Sequence, residues 1–271
     1  MFMKKLIFAI FYTLLILSFY ACGNAKSESL DMEFRDTVAM TTISICDSLS
    51  VELNEDKKCI MRVDAQITYP RLFVDRSKTD ELQRLFSNGV LHVDSDTLSL
   101  ASAFPVYLSQ LMMDVIDSEY DENRIGDNLA SSECTINVNI IPIYNDGIHL
   151  SYCKECILSF LGEKSCIKEF IVFGLDEMKE LEFSDIYDIH AIGIVKTMLK
   201  DKLHNIYNVK NDDELSELGF YKIYDIEVND NFYFTNDSVV WNYSQHDLSI
   251  FGDVSVALSR SDIERKIENM K

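Results

Sequence analysis

Asn231-Phe232-Tyr233-Phe234-Thr235-Asn236-Asp237-Ser238-Val239-Val240-Trp241-Asn242-Tyr243 is two runs of aromatic and β-branched residues around a polar pair. Bulky β-formers bounded by turn residues read as a hairpin, with Asn236-Asp237 as its turn. Alternation puts Phe232 and Phe234 on one face and Tyr233 on the other. Downstream, Asp253–Leu258 reads as a last strand, and Ser261 with Glu264 opens a C-terminal helix. Upstream, Asn211 with Glu214 resembles a cap for a short helix. Before that, Ser184 can cap a helix running from Asp185 to Tyr207. Ile189, Ile192, Val195, Leu199 and Leu203 form its apolar stripe, and Asp185 and Asp188 suit its positive N-terminal end. The stripe needs a cover, and the Phe232/Phe234 face of the hairpin is the expected one.

The N-terminal half repeats the hairpin theme. Asn145-Asp146-Gly147 is a strong turn signal between Thr135–Tyr144 and Ile148–Leu161, and Ile167–Leu175 is a third β-like run. Thr42–Leu53 and Cys59–Tyr69 flank a polar turn to give another hairpin. Helical spacing marks Asp80–Phe86 and a longer helix carrying Phe104, Leu108, Leu111, Met112, Val115 and Ile116. The expected fold is α+β, with antiparallel sheets and packed helices in two consecutive modules, 41–175 and 176–271.

Lys4 and Lys5, the apolar run Leu6–Tyr20 and then Ala21-Cys22-Gly23 make a secretory signal. A Cys at the cut resembles the bacterial lipoprotein signal, which implies lipidation of Cys22. The competing reading is an uncleaved anchor, for which the run falls short of the ~20 residues a bilayer requires. Residues 1–21 are then the signal peptide and 22–40 a polar tether. The expected location is a bacterial membrane, with the chain facing the periplasm or cell surface.

The chain has 271 residues, 47% hydrophobic, with a formal net charge of −20. Removing Lys4 and Lys5 with the signal leaves 23 basic against 45 acidic residues, or −22. Such a surface repels nucleic acid. It either serves solubility or attracts a cationic partner. If Cys22 is lipidated, six of the seven Cys remain for an exported compartment, where disulfides are permitted.

Chemistry-bearing motifs are scarce. In Cys153-Lys154-Glu155-Cys156 the thiols sit along a strand, where residues three apart face opposite sides, so they are not expected to bond to each other. A redox pair would instead open a helix, which lowers the first thiol's pKa. A zinc site lacks a second CxxC or HxxxH, and would have to recruit Cys134, His149 and Cys166. Asp121-Glu122-Asn123-Arg124-Ile125-Gly126 fails as a calcium loop, because Ile125 and Ser132 hold ligand positions. None of the five His lies in HExxH, and no Ser lies in GxSxG. No catalytic residue, metal or cofactor is expected.

From Ile186 to Ile267 the chain resembles a bacterial envelope module of unknown function. That module closes the lysozyme-sensing anti-sigma factor RsiV and sits beside the deacetylase domain of PdaC. The carrying residues are Asn231–Asp237, Val240-Trp241-Asn242-Tyr243, His246-Asp247-Leu248 and Phe251-Gly252. Upstream, Cys59-Ile60-Met61-Arg62-Val63-Asp64 leading to Tyr69-Pro70, and Leu82-Gln83-Arg84-Leu85-Phe86, resemble its usual companion module. The resemblance implies a non-catalytic, membrane-anchored binding module whose partner is a lysozyme-like cationic protein or cell-wall glycan. It points to a binding loop with Tyr243, His246, Asp247, Phe251 and Gly252. The loop lacks both prolines usual in the family. A structural role for the aromatics is the competing reading. Other readings that remain are a glycan-acting hydrolase using a carboxylate pair, and a purely structural lipoprotein.

Overall fold

The computed structural model describes residues 38–54, 57–94, 99–119, 132–160, 163–245 and 247–269. The signal, Cys22, most of the tether, the acidic stretch from Asp121 and His246 lie outside the described residues. Among those described, no helix is long and apolar enough to cross a membrane.

Strands β1 (Val38–Asn54) and β2 (Lys57–Phe73) form the first hairpin, in one register from Met40↔Pro70 to Glu52↔Lys58. In β2, Met61, Val63, Ala65 and Ile67 are buried while Arg62, Asp64 and Gln66 are exposed, so one face of the sheet is core. After β2, Asp75 caps a 3-10 turn by accepting from the Ser77 amide. Helix α1 (Thr79–Gly89) then buries Leu82 and Phe86, and α2 (Leu100–Glu119) buries Ala103, Phe104, Leu108 and Met112 on the same face. The fold is α+β, as the sequence predicts.

The expectation of purely antiparallel pairing fails at one place. Strand β3 (Ser132–Asn145) lies parallel to β2, from Cys59↔Ser132 to Ile67↔Ile140. The connection between them carries two helices, and a crossover of that length is what parallel pairing requires. Strands β4 (His149–Phe160) and β5 (Glu163–Gly174) continue antiparallel, and a two-residue β6 (Lys179–Glu180) closes the order β1-β2-β3-β4-β5-β6. The β3–β4 turn is held by its own side chains: Asp146 Oδ1 accepts from the amides of Ile148 (2.9 Å) and His149 (2.7 Å), and Gly147 takes φ 89°.

The single helix expected from Asp185 is two. Helix α3 (Phe183–Ile186) has Glu182 as N-cap; the chain extends at Tyr187, and α4 (Ile189–Tyr207) restarts with Asp188 accepting from the amides of His190 and Ala191. The buried stripe of α4 is Ala191, Ile194, Val195, Met198, Leu199 and Leu203; Ile189 is exposed. The later start leaves Ile189, at the first helical position, outside the core. Short α5 (Asp212–Glu217) is capped by Asn211, as expected. The second sheet is β7 (Phe232–Phe234), β8 (Ser238–Tyr243) and β9 (Val254–Ser259), all antiparallel. Helix α6 (Arg260–Glu268) is capped by Ser259 rather than Ser261.

The buried apolar residues form two clusters. The first lies between the large sheet and α1–α2. The second gathers Val195 and Leu199 of α4 with Phe232, Phe234, Trp241 and Val256, and draws in Val172 from β5. Asn231 joins the two sheets: its Oδ1 accepts from the Phe170 amide at 2.7 Å and its Nδ2 donates to the Lys168 carbonyl at 3.3 Å. A side-chain amide thus satisfies two backbone groups of β5 beyond the reach of β6. Beside it, Asp230 accepts from the Phe183 amide, and Tyr233 stacks on Phe170 at 4.6 Å.

Candidate functional site

The loop from Ser244 to Asp253 joins β8 to β9 and carries the residues singled out by the family resemblance. Its base is well anchored. The Ser244 amide donates to Asp247, the Gln245 amide to Asp253, and the Phe251 amide to Ser249 Oγ. Leu248 and Ser249 are buried, and Phe220 and Ser249 form an isolated β-bridge. The Ile250 amide donates to the Gly219 carbonyl, and the Tyr221 amide to the Leu248 carbonyl. A second segment, 218–221, therefore holds the loop from below.

What the loop presents is apolar. Phe251 is 77% exposed and Ile250 49%. Both pack over Gly219, which has φ 90° and no room for a Cβ beneath the Phe251 ring. Leu218 and Tyr221 flank Gly219 in the chain and are 44% and 40% exposed. Contiguous exposed apolar groups on a rimmed surface mark interaction sites. The rim is acidic, with Glu217, Asp247 and Asp253 exposed; Lys222 leans over the Tyr221 ring at 5.8 Å.

The residues picked from the sequence divide. Phe251 faces solvent, and Asp247 is exposed but engaged in the turn. Gly252 is half-buried at φ 142° and His246 is outside the described residues. Tyr243 is buried: its hydroxyl donates to the Glu227 carbonyl at 2.7 Å, and burial pushes its phenol pKa well up. It supports the loop from the core. Sequence reasoning did not find Leu218, Gly219, Tyr221 and Ile250. The signal available was Leu218-Gly219 at the end of a short helix, a C-terminal glycine that takes positive φ.

Two polar clusters lie elsewhere. Glu169 of β5 accepts from Lys154 Nζ (2.9 Å) and lies 3.2 Å from His92 Nε2. Burial alone would raise its pKa, but the contacts with His92 and Lys154 outweigh that and hold it near 2. Glu180 faces the same group, and burial raises its pKa. The rings beside this pair, Tyr107 and Phe173, are buried. In the second cluster Asp212 bridges Lys200 Nζ (3.0 Å) and His204 Nε2 (2.9 Å), tying α4 to the start of α5.

Among the described residues no group of His, Cys, Asp or Glu can hold a metal. Among the described residues Cys46, Cys153, Cys156 and Cys166 are free thiols, and Cys134 is buried in the first core. Cys156 packs against the first core, and Cys153 points to the opposite face. Burial raises both pKa values, and raises that of Cys166 too; the hydrogen bond with Asp64 raises that of Cys46. Raised values leave thiols protonated and weak as nucleophiles.

No protein-family description matches this sequence, and no curated protein matches it. Solved structures do. A DUF3298 family member from Bacteroides fragilis superposes with a TM-score of 0.66 at 18% identity, covering 85% of this chain and 94% of that one. A DUF3298 family protein from Pseudomonas aeruginosa gives 0.49 at 10% identity, covering 84% and 94%. The likeness to the first, at that identity, establishes a shared fold.

Proposed function

We propose that this is a non-catalytic, lipid-anchored protein of the bacterial cell envelope that binds a cationic, lysozyme-like protein through the Phe251 loop. The supporting observation is Phe251 itself: a large aromatic ring held in the open by an anchored loop. Aromatic anchors at the centre of a patch carry most of the energy of many interfaces. The acidic rim and the formal charge of −20 would speed encounter with a basic partner. The resemblance to the RsiV C-terminal module and its companion favours the same partner, and Cys22 after an apolar run favours the anchor. Cell-wall glycan remains the other ligand of this reading.

The hydrolase alternative needs a carboxylate pair beside exposed rings. Glu169 and Glu180 are a pair with oppositely displaced pKa values, but Tyr107 and Phe173 beside them are buried and leave no platform for a sugar. The test is direct binding of the exported part, from residue 23 onward, to hen lysozyme and to soluble peptidoglycan fragments. Saturable binding of lysozyme that weakens with salt supports the proposal. Binding of neither ligand contradicts it. Release of reducing sugar from the glycan would favour the hydrolase.

A further inference from the structure

The two edges of the six-stranded sheet are unequal. Strand β6 closes one edge with two residues, whereas β1 runs for 17 along the other. Among the described residues β1 pairs with β2 alone. Its register is unbroken between Met40 and Glu52, so among the described residues a straight row of backbone N–H and C=O groups faces outward without a partner strand; the Ser48 amide alone is taken locally, by Asp47 Oδ1 at 2.7 Å. Natural edges are guarded by Lys, Pro, bulges, inward-pointing charges or a covering loop; of these β1 has one inward-facing charge, Asp47, in the row of Ile43, Ile45 and Leu49. Val38–Asn54 contains no Lys, Arg, Pro or Gly, and its register shifts lie only near its ends.

The side chains say what would fit. Ile43, Ile45 and Leu49 face the helix layer and pack against the first core, yet remain only partly buried. A further strand would cover them. Asp47 interrupts that row, and Asp64 of β2 lies opposite Cys46 on the other face. The charges carried by β1 itself are Asp47 and Glu52, both acidic.

We propose that β1 is a strand-addition site for an extended basic segment of another polypeptide. The segment joins as a seventh strand, with apolar residues against Ile43, Ile45 and Leu49 and a Lys or Arg against Asp47. Backbone hydrogen bonds supply the affinity and alternate side chains the selectivity. Charge decides the occupant: a second copy would bring another −20 and another Asp47 to the same edge. This surface is separate from the Phe251 loop and does not depend on it.

The probe is a short fluorescent peptide whose one face carries valines and a single lysine in the order that matches Ile43, Ile45, Asp47 and Leu49, with threonines on the other face, titrated into the exported chain and read by anisotropy and hydrogen exchange. Two further peptides carry N-methyl groups on one or the other set of alternate amides. A strand uses one set for the ladder, so one methylated peptide binds like the parent and the other loses affinity at least about tenfold. Amides of β1 gain protection when the parent peptide binds. Ser44→Lys with Ser48→Lys, both on the exposed face, weakens binding without moving the melting temperature. Equal binding of the two methylated peptides overturns the proposal, as does protection confined to the Phe251 loop. So does equal binding of a peptide with glutamate in place of that lysine. A protein that is dimeric by light scattering, and becomes monomeric on Ser44→Lys, shows that a second copy occupies the edge and overturns it as well.

Discussion

Phe234 and Phe251 are the same residue put to opposite uses, one on β7 and one in the loop that follows β8. Phe234 is 2% exposed, with His149 at 4.6 Å, Phe232 at 5.8 Å and the Arg260 guanidinium 5.1 Å from its ring. Phe251 is 77% exposed and rests on a glycine. The first ring is held by everything around it. The second is held only from below, by a loop whose hydrogen bonds would survive without it. Burial explains why Phe234 is apolar, but it does not explain Phe251. An exposed ring on a fixed support is what a binding site requires and what a core does not.

That contrast can be broken by mutation, and the largest effect belongs to the core. Phe234→Ala should cost about 3–5 kcal/mol, read by urea unfolding, because it empties a closed aromatic cluster. A loss under about 1 kcal/mol would show that the cluster relaxes and that the hairpin is peripheral. Tyr233→Ala sharpens the same comparison. Alternation alone would leave Tyr233 free, but it is half-buried and stacks on Phe170 of the first sheet. It should cost about 1–2 kcal/mol, above the usual aromatic-pair value of about 0.5–1.5 because some buried area is lost too. A loss as large as that of Phe234→Ala would mean that both faces of β7 are core.

Gly219→Ala tests the support under Phe251. A left-handed residue with a Cβ costs roughly 1–2 kcal/mol, and here the new methyl also meets the ring. Unchanged melting and binding together would show that the ring does not depend on this seat. A smaller effect comes from acid. Glu169 has its folded pKa near 2, below the usual value of about 4.3, so its contribution to stability is present above pH ~4.3 and is lost as pH falls toward 2. Glu169→Gln should therefore flatten the melting-temperature profile in that window. Asp146, also near 2, titrates in the same range and leaves a residual slope.

Much of this was legible in the residues. Asn145-Asp146-Gly147 and Asn236-Asp237 announced their hairpins because turn chemistry is local, and the buried face of β7 followed from strand periodicity. Three features were not legible. The parallel β2–β3 pair depends on where two helices return the chain, which no local pattern encodes. The break at Tyr187 has no proline or glycine to mark it; competing caps at Glu182 and Asp188 decide it. The exposure of Phe251 depends on Gly219, far away in sequence. An isolated Phe in a loop reads equally as buried or exposed until its seat is known.

The central claim rests on one ring. Calorimetric titration of hen lysozyme into the exported chain and its Phe251→Ala variant, with a melting curve for each, tests it most directly. The account predicts melting within about 0.5 kcal/mol of wild type, as for an exposed site. It also predicts an affinity loss of about 30-fold, the size expected of a hot-spot residue. Equal affinity of the two proteins, with their melting curves superimposed, would contradict it.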